Sequence, residues 1–164
     1  MYSFISHIRF LLKATNQHGV HSPFVYSYVT KCLYSKEKIT SVKSIEILLK
    51  TLDYFKSENL KIDPKSQFYK NQIKKRFNNL KTDAQVYDAI YMNDCSMWSK
   101  TFQKKEIKNT SWVFINNIHN SKESTSLWDK IIALEEVTVS IDLFYCGILF
   151  FRQEQEKEHF KIRY

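Results

Sequence analysis

Polar side chains that could bind a ligand or a cation follow two apolar, β-prone segments of this sequence. Asn93 and Asp94 follow the first segment, and Asn116 and Asn117 follow the second. Because ligands bind outside the carboxyl ends of the strands in an open α/β sheet, both pairs are expected to face one crevice. Carboxylates there would bind a hard cation such as Mg²⁺. Three of these four side chains are amides, so we expect no metal ion at this edge.

Two further residues near these segments could take part in catalysis. His119 follows the second segment closely and could act as an acid or a base. Cys95 follows Asp94, but the sequence places no base beside it, so a thiol nucleophile is not expected. The residues that could carry catalysis are therefore His119 and Asp94.

A loop near the start of the sequence contains two histidines. His18 and His21 stand three positions apart around Gly19, which is half of a metal site. No carboxylate or cysteine lies close in sequence to complete it, so a structural loop is the simpler interpretation. Ser22 and Pro23 then form the start signal of a helix, with serine as the N-cap and proline at the first helical position.

A basic helix face is a candidate for phosphate or nucleic-acid binding. It would carry Lys65, Lys70, Lys74, Lys75 and Arg76. Contacts between lysine or arginine and phosphates supply most of the affinity of non-specific nucleic-acid binding. Helical spacing spreads these charges over the solvent side, so a plain solvated face is the alternative.

The composition excludes several functional classes. The chain has 164 residues, of which 43% are hydrophobic and 15% aromatic, which predicts one domain with a real core. Its two glycines, Gly19 and Gly147, cannot form a P-loop or a G-x-G-x-x-G turn. The net charge of +8 leaves anionic partners open.

The cysteine count and the hydropathy pattern predict a location. The three cysteines include no C-x-x-C pair, which favours a reducing compartment over a disulfide framework or a zinc knuckle. No segment approaches 18 consecutive apolar residues, so we expect no membrane partner. The interpretation is a cytoplasmic protein.

Apolar periodicity predicts an α/β fold. Strands alternating with helices and a closing antiparallel hairpin predict a Rossmann-like, mostly parallel sheet preceded by a helical extension. The predicted domains are a helical extension over 1–40 and an α/β domain over 41–164. Helices are predicted over 3–14, 23–32, 41–56, 68–80, 98–105 and 121–134, and strands over 60–63, 87–92, 112–115, 137–144 and 148–151, with a last short pairing through Phe160 and Ile162.

Three parts of the sequence resemble one protein family. The segment 15–25 reads TNQHGVHSPFV and resembles the N-terminal signature of bacterial class I S-adenosylmethionine-dependent methyltransferases of the O-methyltransferase type. The segment 137–163 resembles the last strands and tail of the same family, and 87–88 with 112–128 resembles its middle strands and the following helix. In this resemblance His18, Gly19, His21 and Pro23 are signature residues, and the fold would be that of class I methyltransferases.

The departures from the family pattern concern the cofactor. The resemblance implies a glycine-rich turn after the first strand that holds the methionine part of S-adenosylmethionine, and this shortened chain lacks one. Asp63 would match the acidic residue that holds the ribose hydroxyls, with Asn93 and Asp94 as the other cofactor-binding candidates. Asn93, Asn116 and Asn117 stand where the family has acidic residues, and an amide cannot accept a proton near neutral pH.

These departures favour a degenerate methyltransferase-like protein, a pseudoenzyme that acts as a binding or scaffolding module without a cofactor. Its expected partner is a second copy of itself or an active paralogue. Two alternatives remain. One is an active methyltransferase that binds S-adenosylmethionine through Asp63 and Asp94 and uses His119 as the base. The other is a nucleic-acid-binding module that uses the basic segment 65–76.

Overall fold

The protein is described by a computed structural model that covers residues 2–63 and 66–164. The helices of this part of the chain are α1 (Tyr2–Lys13), α2 (Pro23–Tyr28, continued by a π-helical turn over Val29–Leu33), α3 (Lys43–Tyr54), α4 (Gln67–Arg76), α5 (Trp98–Thr101) and α6 (Lys122–Ala133). The strands are β1 (Leu60–Ile62), β2 (Tyr87–Met92), β3 (Ile107–Asn116), β4 (Val139–Asp142), β5 (Cys146–Phe150) and β6 (Glu158–Lys161).

The strands form one six-stranded sheet in the order β1-β2-β3-β5-β4-β6. β1, β2 and β3 pair in parallel, β5 pairs antiparallel with both β3 and β4, and β6 runs parallel to β4. Every strand except β5 therefore runs in one direction. The Rossmann-like sheet and its antiparallel hairpin, predicted from the sequence, are confirmed, and the carboxyl ends of five strands meet at the same edge.

Both faces of the central sheet are covered, which explains the continuous apolar runs of β5 and the second half of β3 and the mostly apolar β2. Successive side chains of a strand point to opposite faces. In β2, Ala89 and Tyr91 join the core on the side of α2 and α3, whereas Ile90 and Met92 join the core on the side of α6. The carboxyl ends of β2 and β3 are thus held in place by two packed cores, one on each face of the sheet.

Segment 1–40 contacts the sheet in two ways. α2 contributes Val25 and Tyr28 to the main core, where both are fully buried. A small separate cluster is formed instead by Phe10 of α1 and by Ala14, directly after α1, which pack beside Phe144. The domain boundary at residue 40 stays a prediction.

Several elements differ in length from the sequence prediction, and the strand predicted over 137–144 is reduced to β4. The helix predicted over 98–105 shrinks to the single turn of α5, because Asp94 caps a separate 3-10 turn before it and the chain becomes extended at Phe102. The helix predicted over 68–80 ends at Arg76, since Phe77 adopts an extended conformation. The strand predicted over 112–115 is longer, because β3 begins at Ile107. Among the described residues, no helix is both long and apolar enough to cross a membrane.

Candidate functional site

The structure brings the predicted strand-end residues to one edge of the sheet. Asp63 follows β1, Asn93 and Asp94 follow β2, and Asn116 and Asn117 stand at the end of β3. The Asn117 amide donates to the Asn93 carbonyl oxygen at 3.2 Å. The backbone N–H of Asp63 donates to the Tyr91 carbonyl oxygen at 3.3 Å. These contacts define the strand-end crevice, the name used below for this edge.

Two of the crevice residues are buried. Asp63 is 2% exposed and Asn116 is 5% exposed. Asn93 and Asp94 are half-buried, and Asn117 is exposed, with a positive φ of 56° that asparagine tolerates better than most residues. The Asp63 side chain, which the resemblance matches to a ribose-binding acid, is therefore not accessible from the solvent.

Tyr69 of α4 occupies the crevice above β3. Its hydroxyl oxygen accepts a 2.8 Å hydrogen bond from the Asn116 amide and lies 3.0 Å from the Ser44 hydroxyl of α3. Its ring lies 4.6 Å from the ring of Tyr91, which in turn stacks on Phe114 at 5.8 Å. Three aromatic rings and two polar side chains thus form a continuous packed layer at this edge.

Tyr91 is a neutral hydrogen-bonding group of this layer. Burial, reinforced by the neighbouring Tyr69, raises the pKa of the Tyr91 phenol far above its ordinary value. The Tyr91 hydroxyl donates to the Asn93 side chain at 3.4 Å. Because it keeps its proton at any physiological pH, Tyr91 acts here as a packing and hydrogen-bonding residue rather than as a base.

Asp94 binds its own backbone turn. Its Oδ1 accepts hydrogen bonds from the Ser96 backbone N–H at 2.8 Å and from the Ser96 hydroxyl at 2.5 Å, which is the geometry of an N-cap. This structural role explains an aspartate at this position without a ligand.

The Cys95 thiol is buried and is not activated. Burial, with further contributions from Asp94 and Asp129, raises its pKa to about 12. A thiol becomes a nucleophile only as the thiolate. Cys95 is therefore a buried, protonated thiol, and its lack of a nucleophilic role stays a prediction.

We expect the native protein to react slowly with the thiol reagent DTNB at mildly alkaline pH. Cys32 and Cys146 are also buried, and burial raises the pKa of both thiols. The same protein unfolded in guanidinium should release the signal of three thiols at once. Fast stoichiometric labelling of the native protein that disappears in Cys95→Ser would contradict this expectation.

His119 forms a buried pair with Asp142, which stands at the carboxyl end of β4. His119 Nε2 lies 2.7 Å from Asp142 Oδ2, and Nδ1 lies 3.0 Å from the Thr125 hydroxyl. The other carboxylate oxygen accepts the Phe144 backbone N–H at 2.9 Å. Both ring nitrogens are therefore occupied by protein groups.

His119 also lines a small cavity of about 160 Å³. The other lining residues are Ser44, Asn116, Asn117, Asn120, Phe144 and Tyr145. Ligand pockets for drug-sized molecules are typically about 300–1,000 Å³. Among the described residues, no group of three or more histidine, cysteine, aspartate or glutamate side chains could hold a metal ion.

The loop with His18 and His21 has a structural role. It is called the clasp below, because its neighbouring residues hold segment 15–25 against the C-terminal segment. His18 and His21 are exposed, and the Asn16 side chain accepts the His18 backbone N–H at 3.0 Å. A Cβ added at Gly19 would lie 2.0 Å from the Thr15 hydroxyl oxygen, so the loop needs glycine there. Thr15 itself pairs with the last strand, since its N–H donates to Lys161 O and its carbonyl accepts Arg163 N–H.

The start of α2 continues this clasp. Pro23 occupies the first turn of the helix, and the Ser22 hydroxyl accepts the Val25 backbone N–H at 3.4 Å. The same hydroxyl donates to the Gln155 side chain at 3.2 Å. Thr15 and Ser22 thus connect segment 15–25 to segment 155–163.

The basic face of α4 is partly neutralised. Arg76 pairs with Glu37 at 2.8 Å, whereas Lys74 and Lys75 are exposed. Lys65 lies outside the described residues. A groove of about 530 Å³ runs between α4 and β1, with Lys70 and Lys74 among its lining residues. It contains none of the polar residues that follow β2 and β3.

Two residues important to this edge were missed by sequence reasoning. Tyr69 reads as one of the apolar residues of a helix, and Asp142 reads as one polar residue in a strand. The position of Asp142 at a strand's carboxyl end is a signal that could have found it, as it found Asn93 and Asn116. No sequence signal pairs Tyr69 with Asn116.

These elements form a methyltransferase-like Rossmann fold. The chain is similar to the crystal structure of a Staphylococcus aureus protein described as a "putative caffeoyl-CoA O-methyltransferase", with a TM-score of 0.52 and 12% sequence identity. The similarity covers 82% of this chain and 94% of that chain. At this identity the likeness establishes the fold alone, and it agrees with the fold that the sequence resemblance implied.

No protein-family model matches the sequence, and no curated protein matches it.

Proposed function

We propose that this protein is a non-catalytic, methyltransferase-like module that binds another protein and does not bind S-adenosylmethionine. The single observation that carries the proposal is the packed layer of Tyr69 and Tyr91, which fills the strand-end crevice where open α/β sheets bind their ligands.

The volume that remains in the crevice is too small for the cofactor. The cavity beside Asn116 and His119 measures about 160 Å³, below the roughly 300 Å³ at which small-molecule pockets begin. To bind a nucleoside, the protein would have to move Tyr69 away and break its hydrogen bond with Asn116. Leaving the buried Asn116 amide without a partner would cost about 1–3 kcal/mol.

The polar groups of the crevice lack the chemistry of a methyltransferase. Asp63 is buried, and asparagines occupy the positions where the resembled family has acids. His119 has both nitrogens bound to Thr125 and Asp142, so it cannot accept a substrate proton without breaking a buried contact. A binding role keeps the stable fold and requires none of these groups to react.

Calorimetric titration with S-adenosylmethionine and S-adenosylhomocysteine tests the proposal. We expect no binding heat and no thermal shift at millimolar ligand, because the cavity beside Asn116 and His119 is too small for either molecule. Micromolar affinity for either ligand would contradict the proposal.

The Asp63→Asn variant serves as the diagnostic control for that titration. If the wild type binds the ligand and Asp63→Asn does not, the cofactor site of the active-enzyme alternative exists, because the carboxylate then holds the ribose. If light scattering on the same sample finds a dimer, the partner is a second copy of the chain, and a monomer directs the search to a different protein.

A further inference from the structure

α1 exposes most of its large apolar side chains. Phe4 is 70% exposed and Leu12 is 80% exposed, and Ile5, Ile8 and Leu11 are also exposed. These five residues are most of the large hydrophobic residues that the described part of the chain leaves exposed. This surface is called the α1 apolar face below.

The α1 apolar face is continuous. At 3.6 residues per turn, its five residues fall within an arc of about 120° of the helix surface. Phe10 and Ala14 point to a different side, where they pack beside Phe144. The helix is thus held to the protein by one side and presents a second apolar side outward. Contiguous apolar patches of this kind mark interaction sites.

The charges of α1 indicate what covers this face. Helical spacing places Arg9 about 40° from Ile5, at the border of the arc, and Lys13 about 40° further around the helix. The sequence of α1, YSFISHIRFLLK, contains no acidic residue. A helix with an apolar side bordered by lysine and arginine is typical of helices that lie in the interface of a membrane with anionic lipids.

A second copy of the chain fits this face less well. Neither of two paired α1 helices would offer an acidic residue to balance Arg9 and Lys13 of the other copy. The whole chain carries a net charge of +8, which adds repulsion between copies and attraction to an anionic surface.

We propose that α1 binds the surface of an anionic lipid bilayer, with the α1 apolar face in the acyl boundary and Arg9 and Lys13 at the lipid headgroups. The expectation of no membrane partner rested on the lack of a spanning segment. A helix that lies in the interface needs no such length. This inference does not depend on the proposed function, since it uses none of the crevice residues.

Co-sedimentation with vesicles tests the inference on the full chain. One set of vesicles contains phosphatidylglycerol mixed with phosphatidylcholine, and the other contains phosphatidylcholine alone. We expect sedimentation with the first set and little with the second. Leu12→Glu should weaken binding roughly tenfold or more, because it places a charge where an apolar side chain would enter the acyl boundary of the bilayer.

Phe68→Glu is the matched control. Phe68 is a large apolar residue of α4, is 57% exposed, and undergoes the same change in charge. We expect this variant to bind within about twofold of the wild type, since it lies outside the α1 apolar face. Circular dichroism on both variants verifies that the fold is retained.

Three results would overturn the inference. Equal losses in Leu12→Glu and Phe68→Glu would mean that only the net charge attracts the protein to the vesicles. No sedimentation with either set would exclude a lipid surface. A dimer that Leu12→Glu converts to a monomer, without vesicle binding, would assign the face to a second copy. None of these results affects the S-adenosylmethionine titration, so the two proposals fail separately.

Discussion

Replacing His119 with alanine is expected to lower the free energy of unfolding by about 3–5 kcal/mol. Asp142 is 2% exposed, and its Oδ2 is bound by His119 at 2.7 Å. Removing the ring leaves that oxygen without its partner in a site that water reaches poorly, and the nearest ammonium, Lys161 Nζ, lies 4.0 Å away. The loss of the ring also removes its stacking contact with Phe144.

Urea denaturation measures this effect, with His18→Ala as the matched control. His18 is exposed and its imidazole bonds only a neighbouring side chain, so its loss should change stability by less than about 0.5 kcal/mol. A double-mutant cycle with Asp142→Asn should yield a double variant whose cost is well below the sum of the single costs. Additive costs would mean that His119 and Asp142 do not act as a pair.

Replacing Tyr91 with alanine is expected to cost about 3–5 kcal/mol as well, for a different reason. The ring of Tyr91 is fully buried between Tyr69 and Phe114. Its removal leaves a cavity that the rigid β2 backbone cannot close. Tyr91→Phe should cost only about 1 kcal/mol, because it removes the hydrogen bonding of the hydroxyl, including the long bond to Asn93, and keeps the packing.

Tyr26→Ala is the control for the Tyr91 variants. Tyr26 lies on α2 and is 46% exposed, so the same truncation should change the denaturation midpoint only slightly. A Tyr91→Phe variant as unstable as Tyr91→Ala would mean that the hydroxyl, rather than the ring, stabilises the crevice. That outcome would remove the main physical reason for the packed layer.

The order of elements was predictable because the central strands β2 and β5 and the second half of β3 are buried on both faces. The runs Tyr87–Met92 and 112–115 consist almost entirely of apolar residues, and Gly147 lies within the antiparallel hairpin. The first half of β3 was not predictable. Asn109 and Thr110 are exposed and polar, and this stretch becomes a strand because Ile107 pairs with Tyr87 of β2.

The position of the site could be predicted from the sequence, but whether the crevice is open or filled could not. Strand ends are visible as the points where apolar runs stop, so Asn93 and Asn116 could be placed at one edge. Whether that edge is open depends on Tyr69, whose partner Asn116 lies in a different element far along the chain. Such a contact is decided by how α4 packs on the sheet, and no local pattern encodes it.

The clasp at Thr15 has a consequence for the order in which the chain can fold. Its backbone partners, Lys161 and Arg163, are separated from it by nearly the whole sequence. Contacts of such long sequence separation form late and slow folding, because a large loop must close before they contribute. During synthesis, the loop of His18 and His21 therefore stays unpaired until β6 has left the ribosome. The loop can reach its final conformation only after the sheet has been completed.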